Sequence, residues 1–195
     1  MPAAPFGVAT SEVDGARVHA ARTNGFNSEG LLVVGAVGDA DRVRSALLAA
    51  AADAGGAAIG AQDLEAWRIL NGLPGAGHEL TEAHNPLEAG LRDAVSFTKG
   101  CYVGQEVVAR LNTYGKVART VVRLELSDGG PAPAEGSAVL HGGKPIGTVT
   151  SAILPQGRAA AVALAYVKSR ELPAGVDSVS IDDGSVLRSA KIVSP

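Results

Sequence analysis

Apolar positions follow one period in the first half of the chain and another in the second. Leu31-Leu32-Val33-Val34 after Gly30 is an uninterrupted apolar run, which reads as a strand. Beyond Gly38, Val43, Ala46, Leu47 and Ala50 recur at helical spacing, with Asp39 as the expected N-cap and Gly55-Gly56 as the stop. A second helix is predicted from about Gln62, carrying Leu64, Trp67 and Ile69, until Asn71-Gly72 and Pro74 end it. Upstream, Val13 to Val18 reads as a hairpin around Asp14-Gly15, because Asp-Gly tolerates the left-handed backbone that tight hairpins require.

After about Ala118 short β-rich runs alternate with turn pairs such as Asp128-Gly129, Gly142-Gly143 and Asp183-Gly184. The runs are 120–126, 137–141, 146–153, 159–166, 176–181 and 186–193, and six short strands so closely spaced predict a small antiparallel barrel. Asn112 to Gly115 reads as a turn, which puts the domain boundary between Leu111 and Ala118. The expected fold class is α+β: a ferredoxin-like-type α/β domain over residues 1–114, then a six-stranded β-barrel over 115–195.

Composition narrows the function. With 46% hydrophobic and 19% charged residues the 195-residue chain should fold rather than stay disordered. Aromatics are 4%, so base-stacking platforms are scarce, and the net charge of −3 removes the broad electrostatic footprint of a general nucleic-acid binder. Direct nucleic-acid binding is therefore not expected. One cysteine excludes an internal disulfide or a multi-cysteine metal cage and fits a reducing compartment. The four histidines have no metal-ligand spacing. No apolar stretch is long enough for a spanning helix and Met1 to Ala9 lacks a basic leader, so a cytoplasmic protein without membrane contact is expected.

One segment concentrates chemistry: Phe97-Thr98-Lys99-Gly100-Cys101-Tyr102-Val103-Gly104-Gln105-Glu106, continuing to Arg110. Cys101 precedes a short predicted helix over 104–111, so the helix N-terminus and Lys99 both favour its thiolate form. From Lys99 to Arg123 five basic residues, Lys99, Arg110, Lys116, Arg119 and Arg123, face one acid, Glu106, a local charge of +4 suited to a glutamate tail or a phosphate. The alternative readings are ordinary: a buried small cysteine and solvated cations on a helix edge.

The segment resembles the K-G-C-[FY]-x-G-Q-E-x-x-x-R signature of YgfZ-type folate-binding proteins, relatives of the glycine-cleavage T-protein, and fills every fixed position. Two weaker echoes precede it: Arg22 to Gly30 resembles R-T-G-Y-T-G-E-x-G, and Pro86 to Leu91 matches P-x-E-A-G-L. The chain departs at Arg68-Ile69-Leu70-Asn71-Gly72-Leu73-Pro74, where R-I-E-A-G-I-P becomes apolar at Leu70. It is also shorter than the family by about one N-terminal domain. Where the T-protein carries an acid after its Lys-Gly, this chain has Cys101, which argues against glycine-cleavage chemistry.

The resemblance implies a tetrahydrofolate-dependent accessory protein in iron–sulfur protein assembly or repair and, through it, tRNA modification. Cys101 would then be the reacting group, tuned by Lys99. Glu29, Arg68, Phe26, Glu88 and Arg110 would be folate contacts, since a carboxylate that accepts two hydrogen bonds suits a pterin edge. Implied partners are folate and iron–sulfur client or assembly proteins, with an oligomer or second chain completing the folate cavity. Two alternatives stay open: an aminomethyltransferase-like one-carbon transfer enzyme, and a non-catalytic binding module. No metal ligand set is expected.

Overall fold

The computed structural model describes residues 7–23, 29–115 and 117–193. Two compact units divide the chain between Leu64 and Glu65.

In the first unit β1 (Val8–Val13), β2 (Ala16–Thr23) and β3 (Gly30–Gly35) form an antiparallel sheet in the order β1-β2-β3. Asp14 and Gly15, with φ of 46° and 75°, make the two-residue turn that joins β1 to β2. Positive φ at both positions matches the turn to the strand twist. On β2 Ala16, Val18 and Ala20 are buried and Arg17 and His19 exposed, the period-two pattern of a sheet covered on one face. Helix α1 (Ala40–Asp53) supplies the cover, and Val43 packs on Ala16 and Val18. Asp39 occupies the N-cap position without a side-chain cap bond; its carboxylate pairs with Arg42 at 2.6 Å instead. The predicted cap position is therefore held by an ion pair one turn along.

Helix α2 (Ala61–Leu70) crosses the division between the units. In the second unit its C-terminal half leads to a loop, a single helical turn at 86–90, and helix α3 (Gln105–Tyr114). Residues 112–114, expected as a turn, continue α3, and the left-handed Gly115 (φ 59°) ends it. The turn at 86–90 is closed by the Leu91 N–H donating to the Pro86 carbonyl.

The remaining strands, β4 (Arg119–Leu126), β5 (Ala138–His141), β6 (Lys144–Ile153), β7 (Val162–Lys168), β8 (Ser178–Asp182) and β9 (Leu187–Val193), form a closed antiparallel barrel ordered β4-β7-β6-β5-β8-β9. All six predicted runs become strands, β7 and β8 beginning a few residues later than expected. Closure leaves no open edge. Inside, Leu124, Leu126, Val139, Ile146, Val149 and Ile181 pack on Ala163, Ala165 and Val167. The other face of β7 is covered too: Val162 and Leu164 pack on Ile69 of α2. Burial on both faces explains why β7 is apolar without alternation.

Candidate functional site

The signature segment lies on the surface of the second unit. A 3-10 turn over Arg92–Ala94 precedes it, and the Arg92 guanidinium sits 5.2 Å from the Phe97 ring centre. The Lys99 backbone N–H donates to Ser96 Oγ at 3.2 Å, and the Lys99 ammonium lies 4.7 Å above the Tyr102 ring. These cation–π contacts hold the loop while it stays hydrated. Cys101 is exposed. Gly104 turns the chain into α3 with φ of 85°, a left-handed conformation that a side chain would strain, and Tyr102 accepts the Gln105 N–H. Apolar Val103, in the same loop, and Val107, in the first turn of α3, are exposed, whereas Val108 is buried. The loop therefore presents a thiol among apolar and cationic side chains.

Arg68 is buried, and every donor of its guanidinium is occupied. Nε and Nη2 bond Glu65; Nη1 bonds the Leu73 carbonyl and Glu79 at 2.8 Å each; Nη2 also reaches Ser151 Oγ at 2.9 Å. Its carboxylate partner Glu79 is fully buried and accepts from Gly75 N–H, Thr150 and Ser151 hydroxyls as well, while Tyr166 Oη donates to its backbone carbonyl at 2.9 Å. Burial pushes the Glu79 carboxyl up, but the bonds from Thr150, Gly75 and Ser151 and the charge of Arg68 outweigh it and leave the pKa lowered. Burial likewise opposes the charge of Arg68, yet its carboxylate partners leave it raised. Tyr166 is pushed up to about 12, first by burial and then by the charges of Glu88 and Glu79.

A Cβ on Gly75 would lie 2.7 Å from the guanidinium carbon, so only glycine lets the loop close over Arg68. Glu79, the hub of this network, has no signal in the sequence. Its hydroxyl partners are 71 and 72 residues away, and nothing in a loop's local pattern marks an acid for burial.

Of the residues expected to contact folate, Arg68 and Glu88 take scaffold bonds within the second unit. In the second unit Glu88 closes the helical turn, accepting the Asn85 N–H, while Asn85 Oδ1 accepts the Leu87 N–H. The other Glu88 oxygen takes the Arg119 N–H at the start of β4. Leu70, where the family motif has a carboxylate, packs against Ile69, Val162 and Leu164. Its carbonyl accepts from Arg123, which removes that cation from the basic cluster. Arg110 is exposed on α3. In the first unit Glu29 is exposed and pairs with Arg22 at 3.3 Å. Phe26 and Lys116 lie outside the described residues.

Arg68 thus has no free donor with which to read a pterin edge, and the bonds of Arg68 and Glu88 fasten loop to barrel. Among the described residues no cluster of three metal-binding side chains occurs, and no helix is long and apolar enough to cross a membrane. The arrangement offers an accessible thiol.

Comparison with known proteins agrees with the barrel. Residues 119–195 match the family model described as the glycine cleavage T-protein C-terminal barrel domain. A protein of Arabidopsis thaliana named as a chloroplastic transferase is 35% identical over 151 residues, 77% of this chain and 33% of that protein. The aminomethyltransferase of Symbiobacterium thermophilum is 35% identical over 138 residues, 70% of this chain and 36% of the enzyme. The crystal structure of the glycine cleavage system aminomethyltransferase T from Bartonella henselae superposes with a TM-score of 0.75 at 22% identity, covering 91% of this chain and 48% of that one, and this likeness is one of fold. The chain thus spans between a third and a half of the length of these relatives. Residues 119–195 match the T-protein C-terminal barrel domain, and the chain that carries them is similar in sequence to aminomethyltransferases.

Proposed function

We propose that this chain serves as a tetrahydrofolate-dependent accessory protein in the assembly or repair of iron–sulfur proteins, and through them in tRNA modification. The observation that carries the reading is the exposed Cys101 on the loop that bears the full Lys99 to Arg110 signature. A thiol held at the surface, in a segment that also exposes apolar Val103 and Val107, can meet a partner protein rather than fill a core. Folate, when bound, would supply a one-carbon carrier or a redox-active pterin. Because every donor of Arg68 is engaged, no step is routed through it.

The test is Cys101→Ser in the full chain. Melting temperature should stay within about 2 °C, because an exposed side chain has little packing to lose. Support of iron–sulfur enzyme activity in cells lacking the native protein should disappear. Full complementation by Cys101→Ser, or alkylation of the folded chain as slow as that of a core cysteine, overturns the reading.

The second reading is one-carbon transfer, favoured by the aminomethyltransferase names of the relatives. Folate-stimulated methylene transfer from a carrier protein would select it over the first.

A further inference from the structure

Strand β3 forms one edge of the first unit's sheet, and its outer side has no partner strand among the described residues. Natural edges are guarded by charges, proline or a bulge, because a row of free N–H and C=O groups invites another strand. The run Gly30-Leu31-Leu32-Val33-Val34-Gly35 has none of these, whereas the opposite edge, β1, carries Thr10, Ser11 and Glu12.

The direction of hydrogen bonding on β3 follows from the sheet. The Arg22 N–H bonds the Gly7 carbonyl, on the β1 side, at 3.1 Å. Bonding direction alternates along an antiparallel strand, so Ala21 and Thr23 bond toward β3, and their register partners Leu32 and Gly30 bond back. Leu31, Val33 and Gly35 therefore aim their backbone groups at the open edge. The side chains beside that edge are apolar as well. Leu32 and Val34 are exposed on the face away from α1. Val37, Leu47 and Leu48 are exposed around a hollow of about 640 Å³ between β3 and α1, where Arg44 is the one charged lining residue.

We propose that β3 is the interface between two copies of this chain, paired antiparallel about a two-fold axis that runs normal to the sheet at Val33. Such an axis keeps like faces together, so it must pass through a residue rather than between two. Centred on Val33, the register sets Val33 opposite Val33 and Leu31 opposite Gly35 of the second copy, which uses every outward N–H and C=O of the strand. Centred on Leu32, it would leave Gly35 unpaired. The same rotation keeps both α1 helices on one face and turns the two hollows toward each other. It also lays the Glu29 end of one strand beside the Arg44 end of the other, so opposite charges meet. The exposed parts of Leu31, Leu32, Val34, Val37, Leu47 and Leu48 amount to roughly 600 Å² per copy, which with the strand backbone approaches the roughly 800 Å² per partner of a stable dimer. An isolated extended peptide would satisfy the backbone but leave the hollow beside α1 uncovered. Pairing stops at two, because the outer edges are then both β1, guarded by Glu12. The inference rests on neither Cys101 nor folate.

The experiment is sedimentation equilibrium of the full chain from nanomolar to high micromolar concentration. The mass should rise from the 19.6 kDa of one chain toward twice that value. Leu31→Pro removes an outward N–H and no bond to β2, so it should weaken association about tenfold or more with an unchanged circular dichroism spectrum. Val34→Lys leaves the backbone intact and sets an ammonium against Leu32 of the second copy. It should weaken association too, which keeps the test open if the proline variant misfolds. In a Cys101→Ser background Val33→Cys should cross-link two copies on mild oxidation, because residues on the axis are directly opposed, whereas Ser11→Cys on β1 should not. A single-chain mass at every concentration overturns the proposal. So does a dimer that Leu31→Pro and Val34→Lys leave unchanged, or one that Val103→Ser with Val107→Ser abolishes, since the contact would then lie on the Cys101 segment. Cross-linking of Ser11→Cys as fast as that of Val33→Cys also overturns it.

Discussion

Arg68 and Glu79 illustrate how a residue's surroundings override the role its type suggests. Their buried pair bridges the loop and β6. Removing one member of a buried pair strands the other, so Glu79→Gln should cost about 3 kcal/mol or more at neutral pH. Because the folded pKa of Glu79 is depressed, its contribution is present above the unfolded carboxyl value of about 4.3 and is lost as pH falls through the folded value. Urea unfolding from about pH 7 to about pH 2 should show the gap between native and variant closing in acid. A gap that stays constant would mean that Glu79 acts by shape rather than charge. Gly75→Ala should be destabilising by about 1 to 3 kcal/mol in the same assay, because the guanidinium it would displace is fixed by its full set of bonds.

At the scale of elements, periodicity is sound where a strand has a simple environment and misleading where a neighbour changes it. The six barrel runs were readable because each is short, apolar and bounded by glycine turns. The end of α3 was not, since Asn112 and Thr113 look like turn residues. In the helix Thr113 Oγ1 donates back to the Ala109 carbonyl, and the stop is Gly115. Gly147 on β6 is a second feature of element scale: a Cβ there would lie 2.2 Å from the Tyr166 carbonyl oxygen of β7. Only glycine allows the two strands to pair at this point, so Gly147→Ala should lower barrel stability by about 3 kcal/mol. A thermal midpoint unchanged by Gly147→Ala would show that β6 and β7 can separate here at no cost.

For the whole molecule the two units differ in how much apolar surface each buries. The barrel has a continuous core from Val122 to Ala190, whereas the first unit's buried cluster is Ala16, Val18 and Val43. Leu32, Val34 and Val37 remain exposed on and after β3. Local opening free energy follows such burial. Native-state hydrogen exchange should therefore find amides of β2 exchanging through smaller openings than those of β7. Equal protection would mean that the units unfold together.

The sequence by itself determined the mixed α and β character, the hairpin at Asp14-Gly15, the six barrel strands and the loop that displays Cys101. Each is specified by local pattern, by glycine or by a contiguous motif. Tertiary structure alone decided the barrel's strand order, the engagement of Arg68 and Glu88 in scaffolding, the burial of Glu79, and the meeting of Arg119 with Lys168. These depend on partners about 30 to 85 residues apart. A charged side chain's solvation and neighbours come from the packed fold, and no local period encodes them.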